Sequence, residues 1–274
     1  MKKNEIEVYL ISKPQVIDQT IDTWLKGQGV GDEACNRILS PDKTSSEKLI
    51  EVAGRRCYKS FQPNLNPNVT RIREDISEYI DNILKVGHGS VIEHGTFSFA
   101  IENVTRVFTG EMNRHRAGCA ISEGSMRYIR YDDIPYWLPM SIREDASDTP
   151  DIAEKKAKTR EVFDKAFTSA ETYYKELLTV WGDELAENSK FKMKKEITSM
   201  MRRIIPMGVC TGGIWSLNLR ALRHVFEMRC SPHAEEEILS VACTMLQLMK
   251  DAEPNFFKDF DKVSGYWTPK YHKV

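Results

Sequence analysis

Hydrophobic positions fall along the chain in distinct rhythms. Ile6, Val8 and Leu10 alternate with Glu5, Glu7 and Tyr9, the period of a strand with one buried face. Residues 16–43 are weakly patterned. Their run Gly27-Gln28-Gly29-Val30-Gly31 follows a helical stretch rather than a strand, so it makes a poor dinucleotide fingerprint. Thr44, with Glu47 three residues on, spells a capping box and starts a helix. Another helical face carries Ile72, Ile76, Ile80, Ile83 and Leu84 and stops at Gly87. Phe97, Phe99 and Ile101 alternate with Ser98 and Ala100, giving a second strand; a short helix follows from about Asn103 toward Arg114, then extended chain from Met126 to Tyr131.

The polar, turn-rich stretch 141–151 ends with Thr149 as N-cap and Pro150 at the first helical position. A long helix follows, with a wide apolar stripe from Val162 and Phe163 through Phe167, Tyr174 and Leu178 to Trp181. Three more helices are expected: about 190–205, ended by Pro206; 219–229; and 232–251, with Ser231 as cap and Pro232 at its first position. Chemistry-bearing residues lie on both sides of 141–151, so the pattern predicts one α/β (α+β) domain with an inserted loop.

At 274 residues, 41% hydrophobic and 29% charged, the chain is globular. Such a length hides roughly three quarters of its unfolded surface without disulfide or metal staples. Lys+Arg 39 against Asp+Glu 40 gives a net charge of −1, which argues against a general nucleic-acid binder but not against a local phosphate pocket. No run of apolar residues is long enough for a membrane span, and the start lacks a signal-peptide core. A cytoplasmic protein is expected. Cys35, Cys57, Cys119, Cys210, Cys230 and Cys243 form no CxxC pair, so reduced thiols are expected and no zinc site.

Candidate chemistry concentrates in three stretches. The densest is Arg114-His115-Arg116, followed by Glu123-Gly124-Ser125-Met126-Arg127. If the first triplet closes a helix, its side chains fan out by about 100° each and serve different ligands. Glu123, Ser125 and Arg127 are spaced by two, so in extended chain they share a face and offer a carboxylate, a hydroxyl and a guanidinium together. A solvated, ion-paired strand edge is the plainer alternative. Before these lies His88-Gly-Ser90-Val-Ile-Glu93-His94, whose spacing is not that of a metal-binding HExxH. After them come Arg202-Arg203, then Asn218, Arg220 and His224, then Arg229 and His233. Arg220 and His224 are four apart on one helix face, and Arg229 lies about 13 Å further along the axis at about 1.5 Å per residue, so one helix can touch two points of an elongated ligand.

Arg-His-Arg followed by Ser-x-Arg-Tyr, preceded by His-x-Ser-x-x-Glu-His, resembles the flavin-dependent thymidylate synthases (ThyX family). The resemblance runs from about His88 to Tyr128 and from Arg202 to Glu237. It implies a sheet flanked by long helices, with residues 1–43 as an N-terminal strand and extension before a catalytic domain over 44–274. It also implies a homotetramer with helical subunit interfaces, its active sites shared between subunits. By the same resemblance His88, Ser90, Glu93, Arg114, His115, Arg116, Glu123, Asn218, Arg220, His224 and His233 would surround FAD. Glu111, Arg114, Glu123, Gly124, Ser125, Met126, Arg127 and Arg202 would line a dUMP site, with Arg229 at the uracil ring. Three features depart from the family pattern. Eight residues rather than seven separate Arg116 from Ser125, so a one-residue bulge is expected. Glu111 stands where a glutamine is common, and His224 where an asparagine is frequent.

The implied reaction is reductive methylation of dUMP to dTMP, with methylenetetrahydrofolate giving the carbon and FAD, reduced by NADPH, the hydride. Arg229 would polarise the pyrimidine in place of a covalent nucleophile. Cys119 has no evident basic partner for a nucleophilic role. Two other readings are flavin- and folate-dependent hydroxymethylation of a related pyrimidine nucleotide, motivated by Glu111, and a non-catalytic nucleotide-binding module.

Overall fold

Alternating sequence builds the centre of the molecule. In the computed structural model, which describes residues 2–274, strands β1 (Glu7–Ser12), β2 (Thr96–Thr105), β3 (Cys119–Glu123) and β4 (Cys210–Asn218) form an antiparallel sheet in the order β1-β2-β4-β3. Phe97 lies opposite Leu217 and Phe99 opposite Trp215, and all four are buried on one face. The intervening Ser98, Ala100 and Ser216 face the other way, as a period of two requires. The sheet with its helices makes the chain an α/β protein. No helix is long and apolar enough to cross a membrane among the described residues.

The α-helices of seven residues or more are α1 (Asp18–Gly27), α2 (Asp32–Ile38), α3 (Ser45–Tyr58), α4 (Ile76–Lys85), α5 (Arg106–Met112), α6 (Pro150–Val180), α7 (Phe191–Met201), α8 (Leu219–Arg229) and α9 (Glu236–Ala252). The reciprocal Thr44–Glu47 capping box starts α3 as the sequence predicts. Phe108 of α5, Leu222 and Phe226 of α8, and Met245 of α9 pack against the apolar face of the sheet. A second core gathers Tyr136, Phe167, Tyr174 and Met201 around α6. A third, under α1 and α2, holds Leu25, Cys35 and Phe61. Thr149 caps α6 with Pro150 behind it, as expected. Only Phe167, Ala170 and Tyr174 of its stripe are buried, while Val162 and Tyr173 are 63% and 60% exposed.

Several sequence expectations give way to local chemistry. The helix expected from Asn103 starts instead at Arg106. Asn103 takes a left-handed φ of 62° at a shift of register between Ile101 and Val104, so the strand continues to Thr105, whose hydroxyl caps α5. That helix ends at Met112, leaving Arg114–Arg116 on the following turn. Met126–Tyr131 is not extended: the amides of Tyr128 and Ile129 both donate to the Ser125 carbonyl, closing a turn. The last long helix begins at Glu236, because the Glu235 carboxylate accepts from the amides of Glu237 and Ile238 while the Ser231 hydroxyl turns back to the Met228 carbonyl. Ile72 precedes α4 rather than lying on it. A hairpin of β5 (Phe260–Val263) and β6 (Tyr266–Pro269) closes the described chain.

Candidate active site

The central pair of strands has two ends, and each end delivers a helix. Thr96 pairs with Asn218 at one, where β4 passes into α8; Thr105 pairs with Cys210 at the other, where β2 passes into α5. At the first end the Asn218 side chain caps α8 by accepting from the Ala221 amide at 2.8 Å. It packs over Gly118, whose φ of +70° and missing Cβ both matter, since a Cβ there would lie 2.5 Å from the Asn218 Nδ2. Arg220 Nη1 donates to Glu93 Oε1 at 2.7 Å. Glu93, Gly118, Asn218, Arg220, His224 and Lys273 line a cleft of about 380 Å3.

At the other end Arg106, the first residue of α5, clamps the Glu123 carboxylate and donates to the Gly124 carbonyl. Asn113 Nδ2 donates to the other Glu123 oxygen at 2.7 Å, and its own Oδ1 accepts from the Trp215 indole at 3.1 Å. Glu123 is thus fixed from two sides. Its neighbours Ser125 and Met126 join Arg106, Arg202 and Arg203 in lining a cleft of about 490 Å3.

A chain of polar contacts runs between these ends. Arg229 Nη1 donates to Glu111 Oε2 at 2.7 Å, and Arg229 Nε donates to His115 Nε2 at 3.0 Å. The His115 ring meets the His224 ring edge-on, 5.6 Å between centres. Glu111 sits on α5 between residues of the larger cleft, and His224 lines the smaller one. Burial, then the Arg229 charge, then His224 push the His115 pKa down to about 4, so its imidazole is neutral at physiological pH. With Nε2 accepting, the proton of that neutral ring sits on Nδ1.

The sequence-predicted residues therefore divide. Glu93, Asn218, Arg220 and His224 meet in one cleft; Glu123, Ser125, Met126 and Arg202 in the other. Glu111, His115 and Arg229 join them. Arg114 and Arg116 are exposed on the turn after α5, and His233 is exposed between α8 and α9. His88 is exposed and stacks on Tyr58, and Ser90 is exposed beside it. Arg127 does not share a face with Glu123 and Ser125. The turn at Ser125 sends it into a separate cleft with Lys192 and Lys195. Within one chain, then, Arg114, Arg127 and Arg229 do not converge. The expected bulge is absent from the paired segment, whose register runs unbroken from Cys119–Leu217 to Glu123–Gly213. Burial raises the Cys119 pKa, and its Sγ donates to the Ala117 carbonyl, so the residue is held as a thiol.

Arg106, Asn113 and Lys273 went unremarked in the sequence. Arg106 and Asn113 bracket α5, and a polar pair closing a short helix beside Arg-His-Arg was the available signal; Lys273 gave none. The smaller cleft fits a flat anionic group, with a guanidinium and an ammonium beside the uncluttered backbone of Gly118.

The family model described as thymidylate synthase complementing protein matches residues 40–255, and the chain belongs to that family. A flavin-dependent thymidylate synthase of Corynebacterium diphtheriae is 32% identical over 238 residues, covering 83% of this chain and 88% of its own. Enzymes of the same name from Mycolicibacterium vanbaalenii and Clostridium tetani are 33% and 29% identical, covering 82% and 77% of this chain and 83% and 81% of theirs.

Proposed function

We propose that this protein is a flavin-dependent thymidylate synthase that converts dUMP to dTMP, using methylenetetrahydrofolate, FAD and NADPH, in the cytoplasm. The observation that carries the reading is the contact chain Glu111–Arg229–His115–His224, which ties a cleft suited to a nucleotide to one suited to a flavin.

The larger cleft takes the nucleotide. Arg202 and the Ser125 hydroxyl bind its phosphate, and the fixed Glu123 carboxylate accepts from its sugar or base. Arg229 is the group with catalytic leverage. Held by Glu111 and the neutral His115, its guanidinium is pre-aimed to stabilise negative charge on the uracil N3/O edge, which raises electron density at C5. The Arg229 charge also offsets the Glu111 carboxylate, which would otherwise repel an anionic substrate. Glu93, Asn218, Arg220 and His224 orient the flavin, with His88, Ser90, Arg116 and His233 closing over it in the assembly; when bound, it supplies the redox chemistry of the reduction.

The assembly is a homotetramer. Two features support it: Arg114 and Arg127 stand apart from the nucleotide cleft of their own chain, and the exposed apolar edge of α6 at Val162, Tyr173 and Val180 offers a contact face. The test is turnover of dUMP and, in parallel, dCMP by the yellow holoenzyme, with product mass read out. Mass gain of one methyl group on dUMP supports the reading; inertness toward dUMP with the flavin bound overturns it.

A further inference from the structure

Next to the nucleotide cleft lies a second, strongly basic one of about 360 Å3. It is lined by Arg127, Lys192, Lys195 and Arg203, with Glu196 as its one carboxylate. That carboxylate stands 4.0 Å from Lys192 with both side chains largely exposed, a pair too loose to neutralise Lys192 or the other three cations of the lining. Arg203 is common to both clefts, and Arg127 directly follows Met126, which lines the nucleotide cleft. The two hollows are therefore contiguous.

An aromatic pair adjoins the basic one. Tyr128 and Phe191 stack with centres 5.9 Å apart and planes 14° from parallel, although they are 51% and 70% exposed. Lys195 and Arg127 lie over the Tyr128 ring at 5.3 and 5.9 Å. A solvated helix face explains scattered lysines. It does not explain cations drawn from α7, from the turn after it and from the Ser125–Tyr128 turn, set beside a stacked pair of exposed rings.

We infer that this cleft binds the anionic tail of the folate co-substrate, a chain of γ-linked glutamates whose carboxylates meet Lys192, Lys195 and Arg203 while its aminobenzoyl ring lies against Tyr128 and Phe191. The inference rests on the function proposed above. A tail of several carboxylates spaced along a flexible backbone matches several separated cations, whereas one phosphate would use one or two of them. Arg127, which stands apart from the nucleotide cleft of its own chain, lines this cleft as a fourth cation.

The test compares mono- and pentaglutamyl methylenetetrahydrofolate on the holoenzyme. Both KM and direct binding by flavin fluorescence quenching are read, each at low and high salt. The pentaglutamyl form is expected to bind roughly tenfold more tightly at low salt, the yield of about three exposed ion pairs, with the advantage shrinking as salt screens them. The double variant K192A/K195A is expected to lose most of that advantage, and Lys155→Ala, on the far-exposed face of α6, to keep it. Equal affinity for the two folates at low salt overturns the inference while leaving the enzymatic reading intact; failure to bind or turn over either folate overturns that reading instead. A gain for dUTP over dUMP that disappears in K192A/K195A, with no gain for the longer folate, assigns the cleft to a phosphate chain and also overturns the inference.

Discussion

Replacing Arg229 by alanine removes a cation that touches both the proposed pyrimidine site and His115, and so makes two independent readouts move. The side chain donates to Glu111 at 2.7 Å and to His115 at 3.0 Å from a position with 21% of its surface exposed. At an effective dielectric of about 20, a charge about 4 Å away is stabilised by about 4 kcal/mol. Loss of one preorganised donor to a transition state costs about 100- to 1000-fold in turnover. The two scales agree, so kcat with dUMP is expected to fall at least ~100-fold while the flavin stays bound. The second readout is His115, held at about 4 by burial first and Arg229 next. Without Arg229 its pKa rises but stays below its ordinary 6.5, because burial persists. The stability linkage has a definite sign. A depressed histidine pKa favours the folded state above about 6.5, and this contribution is lost as pH falls toward 4. The variant should therefore lose less stability than the parent between pH 7 and pH 5. Imidazole NMR titration, urea melts at the two pH values and dUMP turnover check these outcomes. Turnover within threefold of the parent would remove Arg229 from the mechanism, and an unmoved His115 titration would refute the electrostatic reasoning.

Three further outcomes follow from other parts of the structure. Arg223 and Asp259 form a buried bidentate pair at 2.7 and 2.9 Å, each 4% exposed, so Asp259→Ala strands a charge and should cost about 3–5 kcal/mol in chemical denaturation. Glu253 accepts from Thr44 and Ser46 at 2.6 and 2.8 Å, yet burial raises its pKa to about 7. Its stabilising share is full below about 4.5 and is lost as pH rises through 7, so Glu253→Gln should gain stability relative to the parent between pH 5 and pH 8; a constant difference across urea melts in that range would contradict this. Gly118→Ala combines a left-handed φ with a Cβ 2.5 Å from Asn218, roughly 1–3 kcal/mol of strain, and should lower the flavin-to-protein absorbance ratio while circular dichroism stays that of the parent.

What the sequence disclosed was whatever a short stretch decides for itself. The alternation at Phe97–Ile101, the capping box at Thr44 and the Thr149-Pro150 helix start depend on neighbours within a few residues, and each appears as read. Strand β4 was not foreseen, because Cys210 to Asn218 contains Gly212 and Gly213 and carries its period only through Trp215 and Leu217. Those glycines are required by its neighbours: a Cβ on Gly213 would strike the backbone of β3, and one on Gly212 the Glu102 carboxylate. The turn at Ser125 was likewise invisible, since Glu123, Ser125 and Arg127 have strand spacing. What bends the chain is Arg106, far back in sequence, which holds Glu123 and the Gly124 carbonyl together. The site motifs identified the chemistry, but long-range partners decided which cleft each residue entered.

The topology explains why one pair of strands can serve two ligands. Strands β2 and β4 are antiparallel neighbours, so the helices that follow them leave from opposite ends, about 33 Å apart for ten residues at about 3.3 Å each. Helix α5 then advances about 10 Å from the Thr105 end and α8 about 16 Å from the Asn218 end, at about 1.5 Å per residue. Both pack on the same apolar face through Phe108, Leu222 and Phe226, so they approach each other over the sheet. They meet where Glu111, near the end of α5, reaches Arg229, the last residue of α8. The guanidinium assigned to the chemistry thus sits at the meeting point of two helices, each rooted in a different cleft. Its placement is set by the antiparallel register of β2 with β4, and a slip of that register would separate Arg229 from Glu111 and disturb both clefts, since each joins residues flanking the two strands.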